Sequence, residues 1–325
     1  MNRTLIAVLA VLAAAGAGSG STPAQAYPDK PVRIVIPFAA GGGPDVQARQ
    51  FGQKLAEVMR QPAIMENKVG AAGALAAQYV AQAAPDGYTL LLGTSTPLVQ
   101  KRLNPELKFD PIADFAPITN MASSPAVLVV RAEHPARNAR DLIALGKANP
   151  GKLNYGSGGI GTAAHLAGAT FEALGGFKAV HIPLKGSVEI QSSLLRGDTD
   201  FAFPISSTAI PAVRTGKLRA LGVTSARRLA SLPEVPTMHE QFKDELYVQE
   251  SWLAIWAPVK TPPEVLRAFH GLAVKALADA ALAKAFEATG AIVETSESPA
   301  AAAAFWKRED DKWGRIVKLS GAKAN

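Results

Sequence analysis

The residue types best suited to chemistry in this chain gather on two glycine-rich stretches. One is Asn154-Tyr155-Gly156-Ser157-Gly158-Gly159-Ile160-Gly161-Thr162-Ala163-Ala164-His165. Its pattern reads as a strand, a glycine loop and the entry to a helix over residues 166–174. Gly158, Gly159 and Gly161 carry no Cβ, so main-chain N–H groups can come close to a ligand. Ser157 and Thr162 add hydroxyl donors, and the helix start adds partial positive charge. Such a turn suits a carboxylate or a phosphate, although the same loop could serve only to cap a helix.

The other stretch follows the β-rich run 33–38 and reads Pro37-Phe38-Ala39-Ala40-Gly41-Gly42-Gly43-Pro44-Asp45. Pro44 suits a first helical position, and Ala48, Phe51, Leu55, Val58 and Met59 recur at helical spacing behind it. Two strand–loop–helix units of this kind could grip one anion from two sides. Asp45 caps its helix start by accepting main-chain N–H bonds, or holds the loop or a bound water. Thr94 and Ser95 form a polar end to the strand 88–92, which is either the place where open α/β sheets bind ligands or an ordinary capping turn. Lys185, at a strand exit, offers either a cation for an anionic ligand or a solvated loop lysine.

Catalytic and metal chemistry find little support. Ser157 lies in Gly156-Ser157-Gly158 rather than in a G-x-S-x-G elbow. His165 is eight residues further on, and no acid nearby could orient it, so a serine nucleophile lacks its partners. The five histidines show no i, i+4 pair and the chain has no cysteine, which removes the usual zinc patterns. Neither G-x-G-x-x-G nor G-x-x-x-x-G-K-[ST] is complete, so no nucleotide and no other cofactor is expected.

The elements that must position these loops follow from composition and order. The chain has 325 residues and a formal charge of +7. Residues 1–26 read as a secretory signal: Arg3, an apolar run over 5–15, and a small-residue end at Ala24-Gln25-Ala26. That run is too short to span a bilayer, and the absence of cysteine removes both a lipid-anchor thiol and a disulfide framework. A soluble periplasmic protein is expected. Basic residues are scattered among acidic ones without an aromatic–basic ladder, which argues against nucleic acid and for small anionic ligands.

Further along, strands are expected at 63–66, 88–92, 126–131, 153–156, 179–182, 200–203, 218–224 and 251–258. Helices are expected at 74–83, 139–148, 188–195, 206–215, 282–288 and 300–319, with another opening at Pro262-Pro263. Residues 93–96 read as a loop and 105–117 as irregular. The stretch 115–124 reads as a crossing between lobes, and 218–224 as the way back. Alternation of strand and helix predicts an α/β fold with largely parallel sheets. The tryptophans are expected to pack core.

Several of these motifs resemble one family. They are Tyr27-Pro28-Asp29-Lys30-Pro31, the loop 37–45, Ala84-Pro85-Asp86-Gly87-Tyr88-Thr89-Leu90, the stretch 149–157, Gly161-Thr162 with His165, and Gly216-Lys217-Leu218-Arg219-Ala220-Leu221. Together they are similar to the extracytoplasmic receptors of tripartite tricarboxylate transporters, the Bug family, over essentially all of 27–325. The resemblance implies a type II periplasmic binding protein with two α/β lobes, a ligand cleft and hinge strands. Lobe 1 would comprise 27–122 and a return segment 226–325, and lobe 2 would comprise 123–225. It further implies a monomer that closes on a small organic acid and hands it to the transporter's membrane subunits, without enzymatic activity. A receptor for a sensor system is the alternative, and an exported serine hydrolase a remote one.

Carried across, the first-lobe contacts would be Phe38, Ala39, Ala40, Gly41 and Gly42 with Asp45 behind them, and Thr94 with Ser95. The second-lobe contacts would be Ser157, Gly161, Thr162 and His165, with Lys185 near the mouth and Pro204 at the cleft. Three positions depart from the family pattern: Leu184 replaces a common tyrosine, Pro204-Ile205 a common Asp-Asn, and Ala74 a common asparagine. A less polar distal pocket, suited to an aromatic or short aliphatic monoacid rather than citrate, is the expectation.

Overall fold

Short β-branched and aliphatic runs supply the centres of two sheets, because strands covered on both faces need apolar residues throughout. The computed structural model describes residues 27–70, 73–104, 107–184 and 187–321. The expected signal, 1–26, and Lys185 lie outside these residues. The first lobe begins with β1 (Val32–Ile36), α1 (Gly43–Met59), β2 (Ala63–Asn67) and α2 (Ala74–Ala81). It continues through β3 (Thr89–Thr94), α3 (Thr96–Leu103) and β4 (Phe115–Pro125). The second lobe runs β5 (Val127–Arg131), α4 (Ala139–Ala148), β6 (Leu153–Ser157), α5 (Ala163–Gly175) and β7 (Ala179–Pro183). It goes on through α6 (Ser187–Arg196), β8 (Phe201–Ala202), α7 (Ser206–Arg214), β9 (Leu218–Val223) and α8 (Met238–Phe242). The chain then returns by β10 (Glu250–Pro258), α9 (Pro263–Leu277), α10 (Ala280–Ala288), β11 (Ile292–Val293) and α11 (Pro299–Ser320).

The first sheet has the order β11-β4-β10-β3-β1-β2 and the second β7-β6-β8-β5-β9. The sheets are mixed rather than largely parallel. β1 runs parallel to β2 and β3, and β6 parallel to β7 and β8, but β10 is antiparallel to β3 and β4, and β5 antiparallel to β8 and β9. The reason lies in the crossings. β4 leaves the first lobe and β10 re-enters it from the second, so the two lie head to tail along the centre of the sheet.

Thr224 ties these crossings together. Its hydroxyl accepts from the Ala126 amide at 2.9 Å, its own amide donates to the Ala126 carbonyl at 2.9 Å, and its carbonyl accepts from Gln249 at 3.0 Å. Leu229, Leu232, Val235, Met238 and Tyr247 are buried in the apolar layers of the second sheet, so 226–249 packs with that lobe and the first resumes at β10.

One face of the first sheet packs α1, α9 and α10, and the other packs α2, α3 and α11. Trp252, Trp256, Trp306 and Trp313 are all buried there, as core residues. Trp256 lies against Trp306 with ring centroids 3.7 Å apart, and over Gly93 of β3. A Cβ on Gly93 would sit 1.9 Å from the Trp256 ring, which is itself fully buried. Gly93→Ala is therefore expected to destabilise the protein by about 1–3 kcal/mol through overpacking. Urea unfolding with an unchanged midpoint would show that the indole can move.

Helix α3 begins at the end of the expected loop 93–96 and runs on through residues to which the sequence assigned no element. Its eight residues carry Pro97 in the first turn and Lys101 and Arg102 in the last, both ordinary helix signals. Its short apolar pattern, Leu98, Val99 and Leu103, was too brief to register as a period.

Candidate functional site

Strand ends and helix starts from both lobes enclose a cleft of about 450 Å³. The exit of β1 contributes Pro37 and Phe38, and β3 contributes Leu91, Leu92, Gly93 and Thr94. The start of α3 adds Thr96 and Pro97, while Val69, Gly70, Gly73 and Ala77 form the side toward α2. The second lobe supplies Gly158 and Thr162. None of these lining side chains is charged. The polar groups are the hydroxyls of Thr94, Thr96 and Thr162 together with main-chain amides.

Three helices of the described chain start at this cleft: α2, whose N-cap Gly73 lines it, and α3 and α5. Thr162 is the N-cap of α5; its hydroxyl accepts from the His165 amide at 3.3 Å and donates to the Gly159 carbonyl at 2.8 Å. On the other side, the Thr94 hydroxyl accepts from the Thr96 amide at 3.3 Å where α3 begins. Each start presents the positive end of its helix dipole, although at α3 the Thr96, Leu98 and Val99 amides are already bonded within the turn and Pro97 has none; the described walls thus favour an anion without a cationic side chain. Gly161, at φ +78°, lies directly against α3: a Cβ there would be 2.6 Å from Leu103 Cδ1 and 3.2 Å from Gln100 Nε2. Leu166, on α5, is buried among first-lobe residues of α3 and α11. The lobes are thus in contact across the mouth.

The expected contacts divide. Phe38, Thr94 and Thr162 line the cleft. Ala39, Ala40, Gly41 and Gly42 are exposed on the rim, and the Gly41 amide is spent on Asp45 Oδ2 at 2.8 Å. Asp45 itself is buried and also accepts from Arg49 Nε at 3.0 Å and from Asn67 Nδ2 at 2.7 Å. Asn67 Nδ2 reaches the Phe38 carbonyl at 2.9 Å as well. Burial alone would raise the Asp45 carboxyl, but the bonds from Arg49, Asn67 and Gly41 outweigh it and hold it below the usual carboxylate range. Asp45 is therefore the anchor that ties the rim to the end of β2. Asp45→Ala removes the acceptor shared by these donors and is expected to lower stability by about 1–3 kcal/mol, read by denaturant unfolding. An unchanged midpoint would mean that water replaces the carboxylate at no cost.

Ser95 is buried, and its carbonyl accepts from Leu98 and Val99 inside α3. Ser157 is fully buried beneath the loop, with its hydroxyl 2.6 Å from His181 Nε2. Gly161 faces α3, and its amide donates to His165 Nδ1 at 3.2 Å. His165, 7% exposed, is pushed down to about 4 by burial and by the neighbouring His181, and burial lowers His181 too. Pro204 is buried at the crossing, where its carbonyl accepts from Val127 at 2.9 Å, and it is not part of the cleft wall. Leu184 donates its amide to the Ser157 carbonyl at 2.8 Å, and Ala74 opens α2. Sequence reasoning passed over Val69, Ala77, Leu91 and Pro97; of these, Pro97 carried a signal, as the proline of a helix start.

The imidazole beside Ser157 belongs to His181, not His165, and among the described residues no acid is bonded to that ring. The orienting member of a triad is missing. No group of three or more histidine, aspartate or glutamate side chains among the described residues is placed to hold a metal. No helix among them is long and apolar enough to cross a membrane.

Known proteins share this architecture. A model of the family described as "Tripartite tricarboxylate transporter family receptor" matches residues 47–322. The protein BugT of Bordetella pertussis is 32% identical over 326 residues, covering 99% of each chain. A Rhodopseudomonas palustris protein solved with adipate, Rpa4515, is 29% identical with a TM-score of 0.81, over 91% of this chain and 99% of its own. MatC of the same organism, solved with malate, is 28% identical with a TM-score of 0.77, over 90% and 100%. With two lobes of this topology around a shared cleft, the chain belongs to the tripartite tricarboxylate transporter receptor family, the Bug receptors, which bind substrates and are not enzymes.

Proposed function

We propose that this protein captures a small organic acid in the periplasm by closing its lobes on it, and then delivers it to the membrane subunits of a tripartite transporter. Residues 1–26 serve as the export signal, and the receptor acts as a monomer. The observation that carries this reading is the cleft wall itself: the starts of α2, α3 and α5, the hydroxyls of Thr94 and Thr96, and no charged side chain among the described residues. Such a wall stabilises a carboxylate through N–H and O–H donors. Closure excludes water and strengthens those bonds. Micromolar affinity, about −8 kcal/mol, would hold the acid and still let it leave.

The rest of the wall is apolar. Phe38, Val69, Ala77, Leu91, Leu92 and Pro97 offer a ligand's carbon skeleton hydrophobic surface. An aliphatic or aromatic acid therefore fits better than citrate, whose extra carboxylates and hydroxyl would find too few partners. The relative with bound adipate supports an aliphatic skeleton, and the malate-bound one supports a small acid. A thermal-shift panel of hexanoate, benzoate, adipate, malate and citrate tests this. A ligand at a hundredfold excess over its Kd adds about 2.7 kcal/mol. The apolar acids should raise Tm most; a shift with citrate alone would reject the preference.

A further inference from the structure

Ser157 sits in the ligand loop yet opens no group toward the cleft. It is fully buried, and its hydroxyl makes three contacts: His181 Nε2 at 2.6 Å, the Gly159 amide at 3.1 Å and the Gly159 carbonyl at 3.2 Å. One proton to give and two lone pairs are all that a hydroxyl has, so these three bonds use its capacity. They close together when His181 carries its proton on Nε2. Gly159 is held on both sides, because its carbonyl also takes the Thr162 hydroxyl at 2.8 Å and the Thr162 amide at 3.3 Å. Its φ of +112° is a conformation that an L side chain rarely adopts, so the loop shape needs such external bonds. Gly158 and Thr162, on either side of Gly159, are the second-lobe residues that line the cleft.

The sheet places His181 for this task. β7 pairs parallel with β6, with His181 opposite Tyr155, two residues before Ser157 and so on the same face of the strand. The ring stacks on Tyr155 at 5.0 Å and meets His165 at 4.2 Å. His165 in turn accepts the Gly161 amide on Nδ1 at 3.2 Å. Two contacting imidazoles thus support the loop from below, one at Gly159 through Ser157 and one at Gly161.

We propose that His181 is a positioning residue for ligand binding: through Ser157 it fixes Gly159, and with it the Gly158 and Thr162 groups that meet the ligand. This rests on the reading of the cleft as a carboxylate site. Its test needs variants that separate the hydrogen bond from the packing. His181→Phe keeps an aromatic ring on Tyr155 but cannot bond to Ser157. His181→Gln places an amide near the position of Nε2 and restores the bond without a titrating ring. Ser157→Ala breaks the same relay at its other end.

Two readouts apply to the full chain without its leader: hydrogen exchange of the 157–162 amides in the ligand-free protein, and calorimetric titration with adipate and with malate. His181→Phe and Ser157→Ala should each speed exchange in the loop at least tenfold and weaken binding at least tenfold. The double variant should be no worse than either single, because both cut one relay. His181→Gln should return both readouts to within about threefold of the starting protein. A relay with no role is shown by wild-type exchange and affinity in His181→Phe, or by a double variant whose losses multiply. If the unaltered protein binds neither these two acids nor hexanoate, benzoate or citrate, the carboxylate reading fails, while the exchange readout still decides whether His181 sets the loop.

Discussion

Gly161→Val should leave the protein folded and weaken carboxylate binding by about a hundredfold, equivalent to about 2.7 kcal/mol. Two separate costs combine. Gly161 holds φ at +78°, and a side chain in that region costs about 1–2 kcal/mol, more for a β-branched one. Any Cβ would also lie 2.6 Å from Leu103 Cδ1 and 3.2 Å from Gln100 Nε2 on α3. Leu103 is 8% exposed and packed into the first-lobe core, so its end has little freedom to turn away. The clash arises where the second-lobe loop meets a first-lobe helix, so it penalises the closed arrangement more than each lobe by itself. Titration calorimetry beside circular dichroism would show a normal spectrum with lost affinity. Normal affinity would mean that α3 and the loop need not touch when ligand is held.

The second large effect concerns pH. His165 is held at about 4, against an ordinary value of 6.5. Between these values the unfolded chain binds a proton on this residue and the folded chain does not. Stability therefore falls as pH drops from about 6.5 to about 4, and the loss is complete below that. The gap is worth about 3 kcal/mol at most. His181 and His134 are also lowered by burial and act in the same direction. Asp45 contributes in a separate window, because its carboxyl is lowered from an ordinary value near 3.8 and its share is lost only in stronger acid. Urea unfolding at pH 7 and at pH 4.5 should show a marked loss in the native protein and a smaller one in His165→Gln. Equal losses in both would mean that the ring is protonated without cost in the fold. Protonated Nδ1 cannot accept the Gly161 amide, so loop order should decline over the same range.

Much of this was legible in the chain. Strand-and-helix alternation is a local property, and the apolar runs at β1, β3, β5 and β10 are long enough to show it. The glycine loops were visible as composition, and both sit where a lobe faces its neighbour. The strand directions were hidden, because parallel or antiparallel pairing depends on where the chain crosses between lobes. The rim was partly misjudged: a glycine loop promises free amides, but the Gly41 amide is spent on Asp45, a contact set by folding the helix start back on the loop. Asn67, at the end of β2, is 22 residues from Asp45, and no spacing rule links them. The pairing of Ser157 with His181 was equally invisible, since 24 residues and a strand register bring them together. Helix α3 was missed because eight residues give barely two turns of pattern.

The central claim is that one carboxylate is shared between the two lobes without a cationic side chain among the described walls of the cleft. The most direct test is a crystal structure with whichever acid of the panel raises Tm most. The predicted result is a carboxylate bonded, directly or through one water, to the Thr94–Thr96 end of α3 and to the Gly158–Thr162 loop before α5. A ligand seated on one lobe alone, or bound away from this cleft, would contradict it.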